Sequence, residues 1–179
     1  MDEIKTLPNT WKASLKPLRV LNQLTSNQTK PARIAILGVG NQFRSDDGVG
    51  VLIARALLEH QRILDTDHLL VIEAGHAPEN TTGALRRFAA DLVLIIDAAD
   101  LGKTPGTIQW VPAESIDGMS ASTHSLPLSM LAHYLTLELN CTVTLLGIQP
   151  GTNDVGERVS PEVLRAVQVV VEELETLFS

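Results

Sequence analysis

The sequence predicts an α/β fold: a three-layer sandwich in which a largely parallel central sheet of about five strands carries helices on both faces. Short apolar runs alternate with longer segments of helical periodicity along most of the 179 residues. Residues 92–96 are continuously apolar, which is typical of a strand buried on both faces of a parallel sheet. A hydrophobic content of 44 % in a chain of this length is enough for one core. We therefore predict a single domain over residues 33–179.

Residues 1–32 differ from the rest and are predicted to form an N-terminal extension. Apolar residues at spacings of three and four indicate a short amphipathic helix despite Pro17, and a polar linker follows over residues 26–31. The apolar positions of this predicted helix are Trp11, Leu15, Leu18, Leu21 and Leu24. The pattern leaves two interpretations open: an appendage that lies on the domain, or a helix that docks a partner.

The domain opens with a strand, a glycine loop and a helix start. Residues 34–37 are predicted to be a buried strand, and Gly38 and Gly40 allow backbone angles that are closed to other residues. The helix is predicted over residues 49–60, with Asp46 and Asp47 at its start. In open α/β sheets, ligands bind at the carboxyl ends of the strands, which is where this loop lies.

Strands and helices alternate through the remaining sequence. The predicted strands cover residues 68–73, 92–96, 107–111 and 142–148, and the predicted helices cover residues 79–89, 125–139 and a last segment that begins at residue 161. The alternating run at 107–111 is predicted to be an edge strand. Ser125 is predicted to cap the middle helix with Pro127 in its first turn, and Ser160 to cap the last helix.

Charge and composition exclude several classes of function. A net charge of −7 argues against a nucleic-acid surface, which needs clustered lysine and arginine. No apolar run approaches the about 20 residues of a membrane span, and no signal-peptide core is present, so we expect a cytoplasmic protein. The single cysteine, Cys141, excludes an internal disulfide, and its apolar surroundings predict a buried, inert thiol.

Three residues form the candidate site. Asp47, Asp97 and His124 each lie at a predicted strand end or helix start, and a parallel sheet brings such loops to one edge. A carboxylate directly after a buried run, as at Asp97, is costly to desolvate unless it is paired, capping or bound to a cation. One histidine and two carboxylates leave coordination positions open and can hold a divalent metal.

The same loops allow other interpretations. Capping explains one of Asp46 and Asp47, but consecutive side chains at a helix start diverge by about 100°, so the other can face the cleft. Glu73 and His76 follow the second strand as possible outer neighbours of the site. The glycines before Asn41 begin like a dinucleotide fingerprint, but Phe43 occupies the third glycine position, so a nucleotide-binding module is a weaker alternative.

Five blocks of sequence carry a resemblance to a known family. In chain order they are Gly38-Val39-Gly40-Asn41 with Asp46-Asp47-Gly48; Ala77-Pro78-Glu79-Asn80; Ile95-Ile96-Asp97-Ala98 with Pro105-Gly106; Ser122-Thr123-His124-Ser125-Leu126-Pro127-Leu128; and Leu146-Gly147-Ile148-Gln149-Pro150. Residues 34–178 thereby resemble the endopeptidases that mature the large subunit of nickel-iron hydrogenases. The branch they resemble most processes the hydrogenase of formate-hydrogenlyase-type complexes.

The resemblance implies a function for the site residues. It implies that Asp47, Asp97 and His124 are the nickel-contacting and catalytic residues, with Asp46 as a cap or secondary acid. The implied reaction removes the C-terminal extension of a nickel-loaded large-subunit precursor. The nickel would be that of the substrate, and other divalent metals could substitute for it. Whether a carboxylate or a metal-bound water attacks the peptide stays open.

The resemblance also implies an aspartic-type or metal-dependent endopeptidase whose partner is the hydrogenase precursor. We expect a monomer without nucleic-acid or membrane partners. The competing function is an escort that binds the nickel site of the precursor and never cuts it. Family members often have Asp-Gly-Gly where this chain has Glu73-Ala74-Gly75.

Overall fold

The computed structural model describes residues 32–59, 67–116, 127–156 and 158–178 of the chain. The predicted extension lies outside these ranges apart from residue 32, so its helix and its role stay predictions. His124 and the predicted cap Ser125 also lie outside them.

A five-stranded sheet forms the centre of the described structure. Its strands are β1 (Ile34–Val39), β2 (Leu69–Gly75), β3 (Leu92–Ala98), β4 (Ile108–Pro112) and β5 (Thr142–Ile148). The order across the sheet is β2-β1-β3-β5-β4. The neighbours among β2, β1, β3 and β5 pair in parallel, and β4 pairs antiparallel with β5 at the edge. The largely parallel sheet and the predicted edge strand are confirmed.

Helices cover both faces of this sheet. In the described residues they are α1 (Val49–Glu59), α2 (Thr82–Phe88), α3 (Leu128–Leu139) and α4 (Pro161–Phe178). One apolar cluster joins α1 and α4 to one face of the sheet, and a second joins α2 and α3 to the other face. The three-layer sandwich is therefore confirmed. No helix in the described ranges is long and apolar enough to cross a membrane.

The two clusters explain why the central strands are continuously apolar. Along β1, Ile34 and Ile36 belong to the first cluster, whereas Ala35 and Leu37 belong to the second. Since successive side chains of a strand point to opposite faces, a strand that is covered on both sides must be apolar at every position. All six residues of β1 are buried for this reason.

Two helix starts differ from the predictions. Pro127 was predicted inside the first turn of α3, but its ψ of 135° is extended, and it precedes the helix as the N-cap residue. Its carbonyl accepts the amides of Met130 and Leu131, at 3.0 and 3.2 Å. The predicted helix 79–89 is a 3₁₀ turn, Pro78–Thr81, followed by α2, which ends where Ala89 adopts a left-handed φ of 52°.

Cys141 is buried, as predicted, and lies directly before β5. Its Sγ donates to the carbonyl of Leu135 at 3.6 Å, and burial raises the pKa of the thiol. A raised pKa favours the unreactive protonated form at neutral pH, which agrees with a structural role.

Candidate functional site

The candidate site lies at the carboxyl ends of the parallel strands, where the strand order reverses. The chain leaves β1 for β2 on one side and then crosses to β3 on the other, so the gap between the ends of β1 and β3 is the switch point of the sheet. Ligands of open α/β sheets bind at such a point, because the loops that follow the two strands diverge and leave a crevice. The loop after β1 carries Asp47, and β3 carries Asp97 near its end.

A short 3₁₀ turn, Ser45–Gly48, holds Asp47 between β1 and α1. The Asn41 amide donates to the carbonyl of Asp47 at 3.2 Å and to its Oδ2 at 3.1 Å. Asp47 is 2 % exposed. The loop therefore folds back on itself and fixes both the backbone and the carboxylate of Asp47.

Glycines, which have no side chain, allow this turn to pack directly against the sheet. A Cβ on Gly50, in the first turn of α1, would lie 2.0 Å from the carbonyl oxygen of Ile96 in β3. A Cβ on Gly40 would lie 1.8 Å from the carbonyl oxygen of Asp47, and Gly40 has a φ of +131°. Gly38 needs space rather than an unusual φ, because the carbonyl of Gly50 occupies the place of its Cβ at 2.2 Å. The predicted conformational role thus holds for Gly40 and is wrong for Gly38.

Asp97 is fully buried in β3, opposite Gly147 of β5. By the alternation of the strand it lies on the face of Val93 and Ile95, which is the face that α3 covers. The residue before it, Ile96, is the one that Gly50 approaches, and the 3₁₀ turn of Asp47 also contacts β3. The structure therefore brings the Asp47 turn and the end of β3 together, as the sequence predicted.

Asp46 has a structural role that differs from the predicted cap of its own helix. Its buried carboxylate accepts four hydrogen bonds from the loop between β5 and α4. The donors are the amides of Gly151, Thr152 and Ser160, at 2.7, 3.1 and 2.7 Å, and the Ser160 hydroxyl at 2.8 Å. No side chain caps the 3₁₀ turn, whose N-cap residue is Arg44. Asp46 therefore joins two loops that are distant in the sequence.

His124 lies outside the described residues, so the structure does not test its predicted place beside the two carboxylates. In the chain it comes four residues before Leu128, the first residue of α3. Within the described ranges, no three histidine, cysteine, aspartate or glutamate side chains lie close enough to hold a metal ion. The predicted metal-contacting set therefore stays a prediction.

A cavity of about 270 Å³ lies beside the Asp47 loop, and several of its residues were not predicted from the sequence as part of the site. Phe43 and Arg55 line it together with Glu73 and His76, the predicted outer neighbours of the site. Arg55 Nη2 binds Glu73 Oε2 at 2.8 Å, and this pairing raises the pKa of Arg55. Phe43 is 71 % exposed. The sequence did contain one signal for Phe43, because an aromatic residue is unusual in a polar loop, here between Gln42 and Arg44.

The glycine loop is not arranged for a dinucleotide. A pyrophosphate needs free backbone amides at the helix start. Here the Gly40 amide donates to the Gly75 carbonyl at 3.0 Å, and the Asn41 amide is bound to Asp47. Asp46 and Asp47 are also buried in this loop, and their negative charge disfavours a phosphate nearby. These contacts argue against the nucleotide-binding alternative.

Comparison with known proteins identifies the family. The family model for HycI, the hydrogenase maturation protease, matches residues 51–177. The chain is 32 % identical over 152 residues to a putative hydrogenase maturation protease of Methanocaldococcus jannaschii, covering 81 % of this chain and 90 % of that protein. It is 34 % identical over 141 residues to the hydrogenase 3 maturation protease of Escherichia coli, covering 78 % of this chain and 87 % of that protein.

Solved structures agree with the sequence matches. The crystal structure of the maturation protease HycI from Thermococcus kodakarensis superimposes with a TM-score of 0.74 at 31 % identity, and the match covers 89 % of this chain and 98 % of that one. The fold, the carboxylates at the switch point and these similarities lead to one conclusion. The chain belongs to the family of hydrogenase maturation proteases.

Proposed function

We propose that this peptidase removes the C-terminal extension of a nickel-iron hydrogenase large-subunit precursor after nickel has entered it. The observation that carries the proposal is the position of Asp47 and Asp97 at one switch point of the sheet. The name of the Escherichia coli relative, a hydrogenase 3 maturation protease, supports the substrate class. The single buried Cys141 suits a reducing compartment, and we infer that the reaction takes place in the cytoplasm.

We assign Asp47 and Asp97 to contact with the nickel of the precursor, which belongs to the substrate. Carboxylates and imidazole are suitable ligands for a divalent first-row metal, and His124 is the proposed third contact. Nickel in the bound precursor would act as a Lewis acid. One of the two carboxylates acts as the general base, so we infer an aspartic-type reaction that needs the metal-loaded substrate.

Incubation of the purified protein with precursor tests the proposal. With nickel-loaded precursor, we expect mass spectrometry to detect loss of the C-terminal extension, and with nickel-free precursor no loss over the same time. Equal cleavage of both forms would contradict the role of nickel. A stable complex without any loss of mass would instead support the nonproteolytic escort.

A further inference from the structure

The cavity beside Asp47 has features of a binding subsite. Its volume of about 270 Å³ is lined by Phe43, Arg55, Glu73, Gly75 and His76, among others. Small-molecule and cofactor sites usually measure about 300–1,000 Å³. The cavity therefore suits a single side chain better than a whole cofactor.

Phe43 forms an apolar wall of this cavity on a fixed backbone. Its amide donates to Asn41 Oδ1 at 3.0 Å, and its carbonyl accepts the amide of Gly156 at 3.1 Å. The side chain nevertheless remains 71 % exposed, so its ring contributes little to the core. An exposed apolar residue alone is unremarkable in a soluble protein. An aromatic ring on a hydrogen-bonded backbone beside a cavity offers apolar area to a ligand, and this backbone has little conformational entropy left to lose on binding.

The charged groups in the wall are already engaged with each other. Arg55 binds both carboxylate oxygens of Glu73, at 3.3 and 2.8 Å, and Gln42 Oε1 at 3.1 Å. Because the opposite charges offset each other, the wall has little attraction for an ionic side chain. A Cβ on Gly75 would meet no atom within 4 Å, so the space in front of this glycine is open. Phe43 and Val51 supply the apolar part of the lining, beside the polar side chains of Asn41, Gln42 and His76.

The cavity adjoins the loop that holds Asp47, because Asn41 lines the cavity and also binds Asp47. Asn41 uses its amide to hold Asp47 and its side-chain oxygen to hold the amide of Phe43. Phe43 is thus linked to Asp47 through a single residue, and a polypeptide whose cleaved bond lies at Asp47 passes near the loop that carries Phe43. We propose that the cavity binds an apolar side chain of the hydrogenase precursor, close in sequence to the bond that is cut. This inference rests on the proposed function.

Substitution of Phe43 tests the inference, with a matched control on α3. Leu137 is 69 % exposed, close to the value for Phe43. It lies near the end of α3, just before β5 begins. Leu137 is therefore at the amino ends of the parallel strands, whereas Phe43 is at their carboxyl ends. The variants are Phe43→Ser, the conservative Phe43→Leu and the control Leu137→Ser. Steady-state cleavage of nickel-loaded precursor and titration of its binding are measured for each.

We expect Phe43→Ser to raise KM and the precursor Kd on the order of tenfold, the size of a strong interface truncation, while kcat stays within about twofold. Phe43→Leu keeps an apolar wall and should retain most of the affinity. Leu137→Ser should match the unchanged protein. Unchanged KM and Kd in Phe43→Ser, or an equal loss in Leu137→Ser, would overturn the inference.

The two measurements separate this inference from the proposed function. If the unchanged protein binds precursor without cutting it, the proposed function fails, and a weaker Kd in Phe43→Ser still supports the cavity. If it cleaves precursor and Phe43→Ser behaves identically, only the cavity inference fails. Absence of both binding and cleavage would overturn both.

Discussion

Asp46 and Asp47 are adjacent in the chain but contact different parts of the molecule. Asp46 directs its carboxylate to the loop before α4, where four donors surround it. Asp47 is held by the amide of Asn41 on its own loop. Because a buried carboxylate with four hydrogen bonds is fully committed, Asp46 serves as a positioning residue for the turn of Asp47.

Replacement of Asp46 by alanine should destabilise the protein strongly. It leaves three backbone amides and a hydroxyl without their acceptor, and buried unsatisfied donors cost about 1–3 kcal/mol each before relaxation. We expect the free energy of unfolding to fall by about 3 kcal/mol, measured by urea denaturation.

Asp154→Ala is the matched control, because Asp154 is an exposed aspartate of the same loop. Its Oδ2 accepts only the neighbouring Thr152 hydroxyl, at 3.0 Å, among the contacts described for that carboxylate oxygen. Its loss should cost no more than about 0.5 kcal/mol. Equal stability of the two variants would contradict the role of Asp46 as a joint between loops.

The sequence predicted that one of the two aspartates has a structural role, but not which partners it has. The donors to Asp46 come from residues 105 to 114 positions later in the chain. Such contacts depend on how the loops converge in space, and no local pattern encodes them. The exposed Phe43 was likewise visible as a residue type, whereas the cavity it borders depends on β2 and α1.

At the scale of elements, the close packing of α1 on the sheet positions the site. Gly38 and Gly50 let the first turn of α1 touch the ends of β1 and β3, with the carbonyls of Val39 and Ile96 within 2.4 Å of where a Cβ on Gly50 would lie. A side chain at this point would push α1, and the turn of Asp47 before it, away from the sheet.

Gly50→Ala tests this contact. Overpacking against backbone atoms that cannot rotate away costs about 1–3 kcal/mol and occasionally more, so we expect a loss of about 3 kcal/mol in urea denaturation and reduced peptidase activity. Gly83→Ala in α2 is the control, because its new Cβ would meet only the flexible end of Arg87, at 3.6 Å. This second change should stabilise the protein by up to about 1 kcal/mol. Equal effects of the two changes would contradict the close contact.

Most strand and helix positions could be predicted because the spacing of apolar residues reflects which positions are buried. The predicted strand at residues 142–148 coincides with β5, and the last helix begins at Pro161 as predicted. The start of α3 was mispredicted because a proline suits both the first turn and the position before it. The antiparallel direction of β4 could not be read from its alternating pattern, because alternation reports exposure rather than direction.

At the scale of the whole molecule, the strand order determines which loops form the candidate site. The order β2-β1-β3-β5-β4 sets β1 and β3 side by side, so that the turn that carries Asp47 and the end of β3 that carries Asp97 lie at the same edge. The sequence indicated that strand ends would share an edge, because parallel sheets impose this. It did not indicate the strand order, which depends on the packing of helices on each face.

Cleavage of nickel-loaded precursor by Asp97→Asn tests most directly the claim that the switch-point carboxylates carry the reaction. The amide keeps the size of the side chain but cannot act as a base or as an anionic ligand, so we predict a loss of at least about 100-fold in single-turnover rate. Asp154→Asn, an exposed control, should cleave at the rate of the unchanged protein. Full activity of a folded Asp97→Asn variant would contradict the account.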